Sequence, residues 1–476
     1  MQEKFNYTNF LEAALEQKET DDDRLERRDQ ESRTDKIVEE WKKGVKNISF
    51  TEICDLMIKL NPIYYDDSKI WWAWNKEESK WETVDEVDIL CSIKKLVNIN
   101  PILANGKKTE FFNALKVVAR DNKPKDLGSD WIQFKNKIIN FKTKEELEVS
   151  SEYFFTNPIP WNIGMCEDTP FIDRLIKGDN KSKGWVDEKE YSKIIDLFSY
   201  CLLRDYPIQR IFVLLGGGSN GKGSFFRMLR KIIGFDNCGS TDLKLLSSNR
   251  FENVNFFNKL MVEVSETSFN ILDNTANIKR LTGGDTISVE FKGKNPFQYK
   301  NYAKLIIASN SLPITLDRTD GFYRRFLIVD FNNRFPDGKE IVNDISDLEF
   351  ENFCFKIFNN LPKLLANCGF SNEGTISERR NRYEERSNPL MAFINTYCIR
   401  EDSDFVVRSK FMSRFFGFLS SKSHRKLNYK EISGGLNSMG FESRKKRVDD
   451  SSISVIFGLR LKDDLDLFDE QKKVLE

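Results

Sequence analysis

The chain has 476 residues, and its 74 basic side chains equal its 74 acidic side chains, so the formal net charge is zero. This balance excludes attraction of the whole protein to nucleic acid through its total charge, so any such affinity requires a local excess of cations. The length exceeds what one compact core holds, and we expect about three folded units.

Histidine and cysteine usage narrows the chemistry. The chain has one histidine, His424, and eight scattered cysteines without a C-x-x-C pair. This pattern argues against structural zinc and predicts buried thiols in a reducing compartment. No secretory leader opens the sequence and no apolar run reaches the length of a membrane span. We therefore expect a cytoplasmic protein, or one in the nucleus or a viral factory if the host is eukaryotic.

The first two segments differ in composition. Residues 1–49 are rich in charge and poor in apolar positions, which predicts a solvated linker or helix. Residues 50–204 mix short helical and strand patterns, which predicts an α+β domain ending in an amphipathic helix over 187–203. An aromatic cluster in this domain could stack unpaired bases, but a small core is favoured. The cluster consists of Trp71, Trp72, Trp74 and Trp81.

A phosphate-binding loop follows the apolar strand predicted over Ile211–Leu215, and an amphipathic helix follows the loop. The loop fits the pattern G-x-x-x-x-G-K, in which backbone N–H groups converge on phosphate oxygens and the lysine reaches the β- and γ-phosphates. We therefore predict that the chain binds ATP. The predicted nucleotide-binding residues are Gly216, Gly217, Gly218, Ser219, Asn220, Gly221, Lys222, Gly223 and Ser224.

The sequence departs from the pattern at the position that normally holds the Mg²⁺ accompanying ATP. Gly223 stands where a Ser or Thr hydroxyl normally holds the metal, so Ser224 or water is expected to take that place. The next predicted strand, 260–264, leads into Glu263 and Glu266, which are three apart and point to opposite faces if the strand continues. Both are candidate metal ligands. Glu266 is favoured to polarise the attacking water because it lies nearer the carboxyl end.

Further polar groups follow the third predicted strand, 304–308. Asn310 could contact the γ-phosphate or orient water, although an ordinary turn would also use asparagine here. Arg324 and Arg325 precede the apolar run 326–329 and could neutralise charge on the transferred phosphoryl group, in the same subunit or a neighbour. A surface ion pair is the alternative role for these arginines.

A lysine-tipped hairpin is predicted between the second and third strands. The sequence alternates and then turns at Lys292, Gly293 and Lys294. Two cations at the tip of a hairpin suit contact with the phosphates of a moving strand.

The order of these motifs resembles helicase superfamily 3, in the group of phage, plasmid and poxvirus primase-helicases. The likeness rests on G-G-G-S-N-G-K-G-S, V-S-E-T, I-K-R-L-T-G-G-D, I-A-S-N-S-L-P and D-G-F-Y-R-R-F. It is strong over about 205–335 and weaker over 130–160. The resemblance implies an α/β fold with an AAA+-like P-loop core at 205–388, assembled as a ring, usually hexameric, that moves 3′ to 5′ on DNA.

The resemblance also implies a role for each matching residue. The implied roles are the Walker A lysine for Lys222, the Walker B acid for Glu266, the sensor for Asn310, the DNA hairpin for Lys292 and Lys294, and the finger for Arg324 or Arg325. No acidic primase motif is found, so primer synthesis is not predicted. A primase or polymerase partner, or a fused upstream domain, stays an option.

The last segment, 389–476, concentrates positive charge. Helical patterns at 390–399, 409–421 and 428–438 precede strand-like runs at 441–448 and 453–461, which suggests a winged helix. Residues 408–447 contain eleven lysines and arginines against two glutamates, a net charge of +9. We expect DNA contacts here, with a solvated basic face as the alternative. The predicted contacts are Lys430, Arg444, Lys445, Lys446 and Arg447.

These observations favour an ATP-driven DNA helicase that replicates a virus, plasmid or integrated mobile element, with single-stranded and forked DNA as partners. A P-loop small-molecule kinase would leave the lysine hairpin and the basic tail unexplained. An origin-binding or helicase-loading protein with weak ATPase activity is a second alternative, because of Gly223.

Overall fold

The computed structural model describes residues 49–96, 107–265, 271–272, 274–293, 295–315, 317–336, 341–421, 427–448 and 451–463. The charged segment before residue 49 lies outside these residues, as do Glu266 and Lys294. The chain forms two compact units. The first holds residues up to Asp126 together with Ser150–Thr156, and the second holds Leu127–Val149 and the chain from Asn157 onward. The boundaries predicted at 204 and 388 both fall inside the second unit.

The first unit packs three helices against a three-stranded antiparallel sheet. Its elements are α1 (Phe50–Leu60), β1 (Ile63–Tyr65), β2 (Trp71–Asn75), β3 (Lys80–Val84), α2 (Glu86–Leu96) and α3 (Lys107–Asp121). Trp71, Trp72 and Trp81 are buried in it. The Trp81 indole donates to the backbone oxygens of Ser151 and Tyr153 at 3.2 and 3.1 Å. The core role predicted for these tryptophans is confirmed, and Trp74 is half-buried.

The second unit begins with three short strands and two helices. These are β4 (Trp131–Gln133), β5 (Ile138–Asn140), β6 (Glu146–Leu147), α4 (Pro170–Lys177) and α5 (Glu188–Cys201). The helix predicted over 187–203 is confirmed as α5, but it is buried on most sides rather than amphipathic. Its buried polar residues are satisfied within the protein. Lys193 Nζ, for example, lies 2.7 Å from Glu190 Oε2.

A five-stranded parallel sheet forms the centre of the second unit. Its strands are β7 (Ile211–Leu215), β8 (Cys238–Thr241), β9 (Met261–Ser265), β13 (Lys304–Ser309) and β15 (Phe326–Asp330). The order across the sheet is β15-β7-β13-β9-β8, so the strands taken in chain order lie as 5-1-4-3-2. Strands buried on both faces are expected to read as unbroken apolar runs. The three predicted strands are confirmed to within one residue at each end.

Alternate residues of each strand enter different cores on the two faces of the sheet. Phe212 and Leu214 pack with α6 (Lys222–Ile233) and α10 (Asp347–Ala366). Ile211 and Val213 pack on the other face. That face is covered by α7 (Leu243–Ser248), α8 (Ala276–Leu281), α9 (Asp320–Tyr323) and α11 (Ile376–Ser387). The sheet is therefore a rigid support with helices on both sides.

Four short strands decorate this core. They are β10 (Ile271–Leu272) with its parallel partner β14 (Ile314–Thr315), and β11 (Thr286–Val289) with its antiparallel partner β12 (Phe297–Lys300). The last pair confirms the predicted hairpin. Because β12 leads directly into β13, the base of the hairpin lies at the amino edge of the sheet. None of the helices in the described part of the chain is both long and apolar enough to cross a membrane.

The chain closes with a helix, a strand, two helices and two strands. These are α12 (Pro389–Tyr397), β16 (Cys398–Val407), α13 (Arg408–Ser421), α14 (Tyr429–Ser438), β17 (Ser443–Val448) and β18 (Ser451–Leu461). The strands form an antiparallel sheet in the order β16-β18-β17. The helix predicted over 390–399 ends two residues early. The strand β16 was missed because its charged centre gives no apolar alternation, and pairing with β18 fixes its conformation.

Candidate nucleotide-binding site

The predicted phosphate-binding loop follows the carboxyl end of β7 and requires glycine at two positions. Gly221 has φ +85°, and a Cβ atom there would lie 2.4 Å from Trp185 Cδ1. A Cβ atom on Gly216 would lie 2.6 Å from the Phe331 oxygen. Any side chain at these positions would displace the loop, so the spacing of the glycines follows from close contact with Trp185 and with the end of β15.

Two asparagines brace the loop from outside. Asn220 Nδ2 donates to the Asn333 oxygen at 3.0 Å, and Asn333 Nδ2 donates to the Gly184 oxygen at 2.8 Å. The Phe335 amide donates to the Ser219 oxygen at 2.8 Å. These bonds tie the loop to the segment that follows β15 and, through Asn333, to the segment that precedes α5. Sequence reasoning missed Trp185 and Asn333, because they lie 36 residues before and 112 residues after Gly221.

Lys222 begins α6, and its side chain lies among acceptors at the carboxyl edge. Nζ donates to the Gly216 oxygen at 2.5 Å and to Asn310 Oδ1 at 3.2 Å. Asn310 directly follows β13, which pairs with β7 so that Ser309 lies opposite Leu215. The structure thus brings together two predicted site residues that are 88 positions apart. A helix amino end beside an ammonium favours an anion at this place.

A cavity of about 970 Å³ opens in front of the loop. One wall is made by the loop and Asn310. The other walls carry apolar side chains from Phe171, Leu175, Trp185, Phe226, Phe335 and Ile341. Arg174, Lys181, Lys183 and Arg227 also line the cavity, together with the carboxylates of Asp179, Glu263 and Asp344. Apolar side chains next to a loop of backbone amides and a lysine suit a ligand that has phosphates at one end and a planar base at the other.

Two of the three predicted metal ligands, Ser224 and Glu263, have other partners in the structure, and the third, Glu266, lies outside the described residues. The Ser224 hydroxyl accepts from Arg227 Nη2 at 2.9 Å, and the buried Glu263 carboxylate pairs with Arg230 of α6. No group of three or more His, Cys, Asp or Glu side chains among the described residues is arranged to hold a metal.

The predicted arginines lie at the opposite edge of the sheet. β15 pairs in parallel with β7 so that Phe326 lies opposite Ile211, and both arginines precede Phe326. The two edges are separated by the length of a five-residue strand, about 16 Å at ~3.3 Å per residue. Neither Arg324 nor Arg325 can therefore reach a phosphate bound at Lys222 of the same chain in this arrangement.

Arg325 is buried and held by uncharged partners. Nε donates to Thr282 Oγ1 at 3.2 Å, Nη1 donates to the Gly321 oxygen, and Nη2 reaches the Lys279 oxygen at 3.4 Å. Burial lowers the pKa of its guanidinium, with nearby Arg324 acting in the same direction. This arginine is bonded in the manner of a structural residue.

Arg324 is half-buried, and its described hydrogen bond goes to a neutral group. Nη2 donates to Gln209 Oε1 at 2.5 Å. Arg324 makes no ion pair with any described residue. Neither of the two predicted arginines pairs with a carboxylate among the described residues, and Arg324 is the more exposed of the two.

The hairpin presents Lys292 to solvent at its tip, next to Gly293 with φ +80°. Beneath the tip, Phe291 stacks on Phe297 with ring centroids 6.0 Å apart. Glu290 pairs with Arg250 at 3.3 Å. The aromatic pair and the ion pair lie directly beneath the tip of the hairpin and leave the tip itself exposed. Lys294 lies outside the described residues.

The basic residues near the end of the chain differ in their surroundings. Lys430 lies in the first turn of α14 and is exposed, as is Lys445 on β17. Arg444 pairs with Glu442. Lys446 Nζ lies 3.6 Å from the centre of the Phe405 ring, so its charge is held against the sheet. Arg447 is exposed on the strand face shared with Lys445.

Comparison with known proteins gives matches over two segments. Residues 214–325 match DUF5906, a family of unknown function, and residues 54–177 match the family described as D5 N terminal like. The first segment contains the whole predicted phosphate-binding loop, Asn310 and both arginines. The chain is also 29% identical over 187 residues to "Putative helicase L207/L206" of Acanthamoeba polyphaga mimivirus. That match covers 36% of this chain and 19% of the relative's own length.

The D5-like match and the viral relative support the predicted likeness to primase-helicase proteins. Two apo structures of the NrS-1 C-terminal region are similar to the chain at 13% and 14% sequence identity, each with a TM-score of 0.45. Each match covers 86% of this chain and 98% of the NrS-1 structure.

Proposed function

We propose that the chain is an ATP-driven DNA helicase or translocase of the superfamily 3 type, with an AAA+-like core and a carboxyl-terminal winged helix. The observation that carries the proposal is the meeting of Lys222 and Asn310 at the mouth of the cavity, on the carboxyl edge of a parallel sheet ordered 5-1-4-3-2. Ligands of open α/β sheets bind at this edge.

In this proposal each residue near the loop has a distinct task. The loop amides and Lys222 hold the phosphates of ATP, and Ser224 contributes a hydroxyl to Mg²⁺. Asn310 orients water or contacts the terminal phosphate. Glu266 is proposed as the base that polarises the attacking water. Glu263 instead positions α6 through its pair with Arg230.

The arginine edge is proposed to serve a neighbouring subunit. The proposed nucleotide site lies at one edge of the sheet, and Arg324, which has no carboxylate partner among the described residues, lies at the other. In a head-to-tail arrangement, Arg324 of one copy can complete the nucleotide site of the next copy. Repetition of such a contact closes a ring when the rotation permits. We therefore propose a ring, with a hexamer as the expected size, in which Arg324 approaches the neighbour's ATP.

The DNA surfaces are proposed to be the hairpin tip and the basic face of the last domain. Lys292 stands clear of the core, and the exposed Lys430 and Lys445 lie in the segment of net charge +9. The helix, strand, two helices and two strands of residues 389–461 follow the order of a winged helix. Movement 3′ to 5′ along single-stranded DNA is part of the proposal.

The test is Mg²⁺-dependent ATP hydrolysis with and without single-stranded DNA, followed by unwinding of a fork. DNA should stimulate hydrolysis, and Lys292→Ala should reduce the stimulation. Lys244→Ala serves as the matched control, because Lys244 is an exposed lysine on α7 that neither lines the cavity nor belongs to the hairpin. Hydrolysis that DNA never stimulates would favour a small-molecule kinase, and no turnover at all would favour an origin-binding or loading protein.

A further inference from the structure

Gln209 is a side chain to which the proposed function assigns no role, although it touches both arginines. Its Oε1 accepts from Arg324 Nη2 at 2.5 Å and from Arg325 Nη2 at 3.3 Å. Its Nε2 donates to the Gly283 oxygen at 2.7 Å. Gln209 lies two residues before β7, so one amide joins the start of the central strand, the arginine pair and the turn that precedes the hairpin strand β11.

The charges around this amide are mostly positive. Arg210 pairs with Glu373 at 2.7 Å, and Arg379 pairs with the same carboxylate at 3.2 Å. Proximity to Arg324 also contributes to the lowered pKa of Arg379. An arginine beside other arginines, without its own carboxylate, is electrostatically unfavourable until an anion approaches. When no anion is bound, the neutral oxygen of Gln209 fixes the direction of the Arg324 side chain.

We infer that Gln209 is a positioning residue that orients Arg324 toward the phosphates bound by a neighbouring copy of this chain. This inference rests on the proposed ATPase with a site shared between subunits. An amide oxygen can orient a guanidinium through one hydrogen bond while leaving its charge uncompensated. A carboxylate would form a stronger, charge-assisted bond and neutralise the arginine. The bond to Gly283 also fixes the amide itself, so that its oxygen faces the arginines.

The experiment compares two substitutions with different effects on this geometry. Gln209→Met keeps the size of the side chain but removes both hydrogen bonds. Gln209→Glu supplies a carboxylate that pairs with Arg324 and holds it on its own subunit. Both should lower kcat for ATP about tenfold or more while KM changes less than about twofold, because each subunit's phosphate loop is intact. Pro207→Ala, an exposed neighbour, should leave kcat unchanged.

Mixing experiments assign Gln209 to one side of the shared site. Gln209→Met mixed with Lys222→Ala should recover ATPase, since an intact loop can meet an intact arginine edge at some junctions. Gln209→Met mixed with Arg324→Ala should not recover, because both defects lie on the same edge. If Gln209 only stabilised the fold, Gln209→Met would recover ATPase activity in neither mixture.

Three outcomes would overturn the inference. The first is a wild-type kcat in both Gln209 variants. The second is recovery of ATPase activity when Gln209→Met is mixed with Arg324→Ala. The third is a mixture of Gln209→Met and Lys222→Ala that recovers no ATPase activity, although a mixture of Arg324→Ala and Lys222→Ala does. The last result would leave the proposed function in place. If Arg324→Ala and Lys222→Ala fail to restore each other despite verified subunit exchange, the shared site itself is wrong. If Gln209→Met does not fold, Gln209→Glu is used in the same mixtures.

Discussion

Lys222 and Lys304 mark the two edges of the central sheet and are bonded in opposite ways. Lys222 is half-buried, starts a helix and lines a cavity. Lys304, at the amino end of β13, is fully buried, and its Nζ donates to the backbone oxygens of Leu203, Asp205 and Tyr302. A lysine whose donors all end on buried carbonyls holds the fold. A lysine that lines a cavity at a helix amino end can exchange its acceptors for phosphate oxygens.

Arg325 and Arg324 repeat this contrast within two adjacent residues. Arg325 is buried against Thr282 and backbone oxygens, whereas Arg324 is half-buried with a neutral glutamine as its partner. Residue type alone therefore does not separate the cations that hold the fold from those proposed to act on ATP. Their acceptors do, and this difference can be broken by mutation at each edge.

Loss of the carboxyl-edge cation should have the largest effect. Lys222→Ala removes the ammonium from the phosphate site without touching the amino edge. ATPase activity should fall on the order of 100-fold, as expected when one preorganised charge is removed from a transition state. Steady-state hydrolysis of ATP measures this, and fluorescence anisotropy should show that most DNA binding remains. Residual activity above about a tenth of wild type would contradict the assignment of the loop.

The two arginines should fail in different ways. Arg324→Ala should abolish most ATPase activity while the free energy of unfolding changes by less than about 1 kcal/mol, because its side chain is half-buried. Arg325→Ala should instead lower the free energy of unfolding by about 2 to 4 kcal/mol, since it leaves buried acceptors without a donor. Urea unfolding and ATPase assays on both variants separate the two effects. Equal stability of the two variants would contradict the structural role of Arg325.

Lys304 should reveal its structural role through stability and pH. Lys304→Met should lower the free energy of unfolding by about 3 kcal/mol, since three backbone oxygens lose a donor. Burial lowers the pKa of Lys304 from 10.5 to about 7. Between these two pKa values Lys304 is protonated in the unfolded chain but not in the folded one, so unfolding takes up a proton. Rising pH therefore increases the free energy of unfolding of the wild type, whereas the variant has no lysine at this position. The stability gap between wild type and variant should therefore widen from about pH 7 to about pH 9, and a narrowing gap would contradict this prediction.

The smallest effects should come from single lysines of the last domain. Lys430→Ala or Lys445→Ala should each reduce the slope of log K for DNA against log salt by about 0.9 if the residue contacts one phosphate. Lys446→Ala should reduce it less, because its ammonium lies over the Phe405 ring. Binding isotherms at several salt concentrations provide the test. Identical slopes for all three variants and wild type would indicate a merely solvated basic face.

The central strands and the hairpin could be predicted because local sequence alone specifies them. The runs at Ile211–Leu215 and Phe326–Asp330 are apolar and end in polar residues, as strands between two helical layers must. β16 could not be predicted, since its centre is charged and only pairing with β18 makes it a strand. A pattern in one segment does not contain the partner that a strand finds in another.

The candidate site could be predicted only where a motif carries the chemistry. The spacing of the motif predicts the loop and Lys222, and the place of Asn310 after a predicted strand, with the family resemblance, makes Asn310 a candidate. The structure brings Lys222 and Asn310 together. The pairing of Glu263 with Arg230 and the burial of Arg325 could not be found, because both depend on packing between distant segments. Gln209 carries no signal of its own in the sequence. Its role follows only from contacts with Arg324 and Gly283.

The central claim is that ATP bound at the carboxyl edge of one subunit is completed by the arginine edge of another. The most direct measurement is ATPase activity across mixing ratios of Lys222→Ala and Arg324→Ala, with subunit exchange verified by a fluorescent label. Each variant alone should be inactive, and mixtures should recover part of the wild-type rate with a maximum at an intermediate ratio. No recovery at any ratio, despite exchange, would contradict the claim.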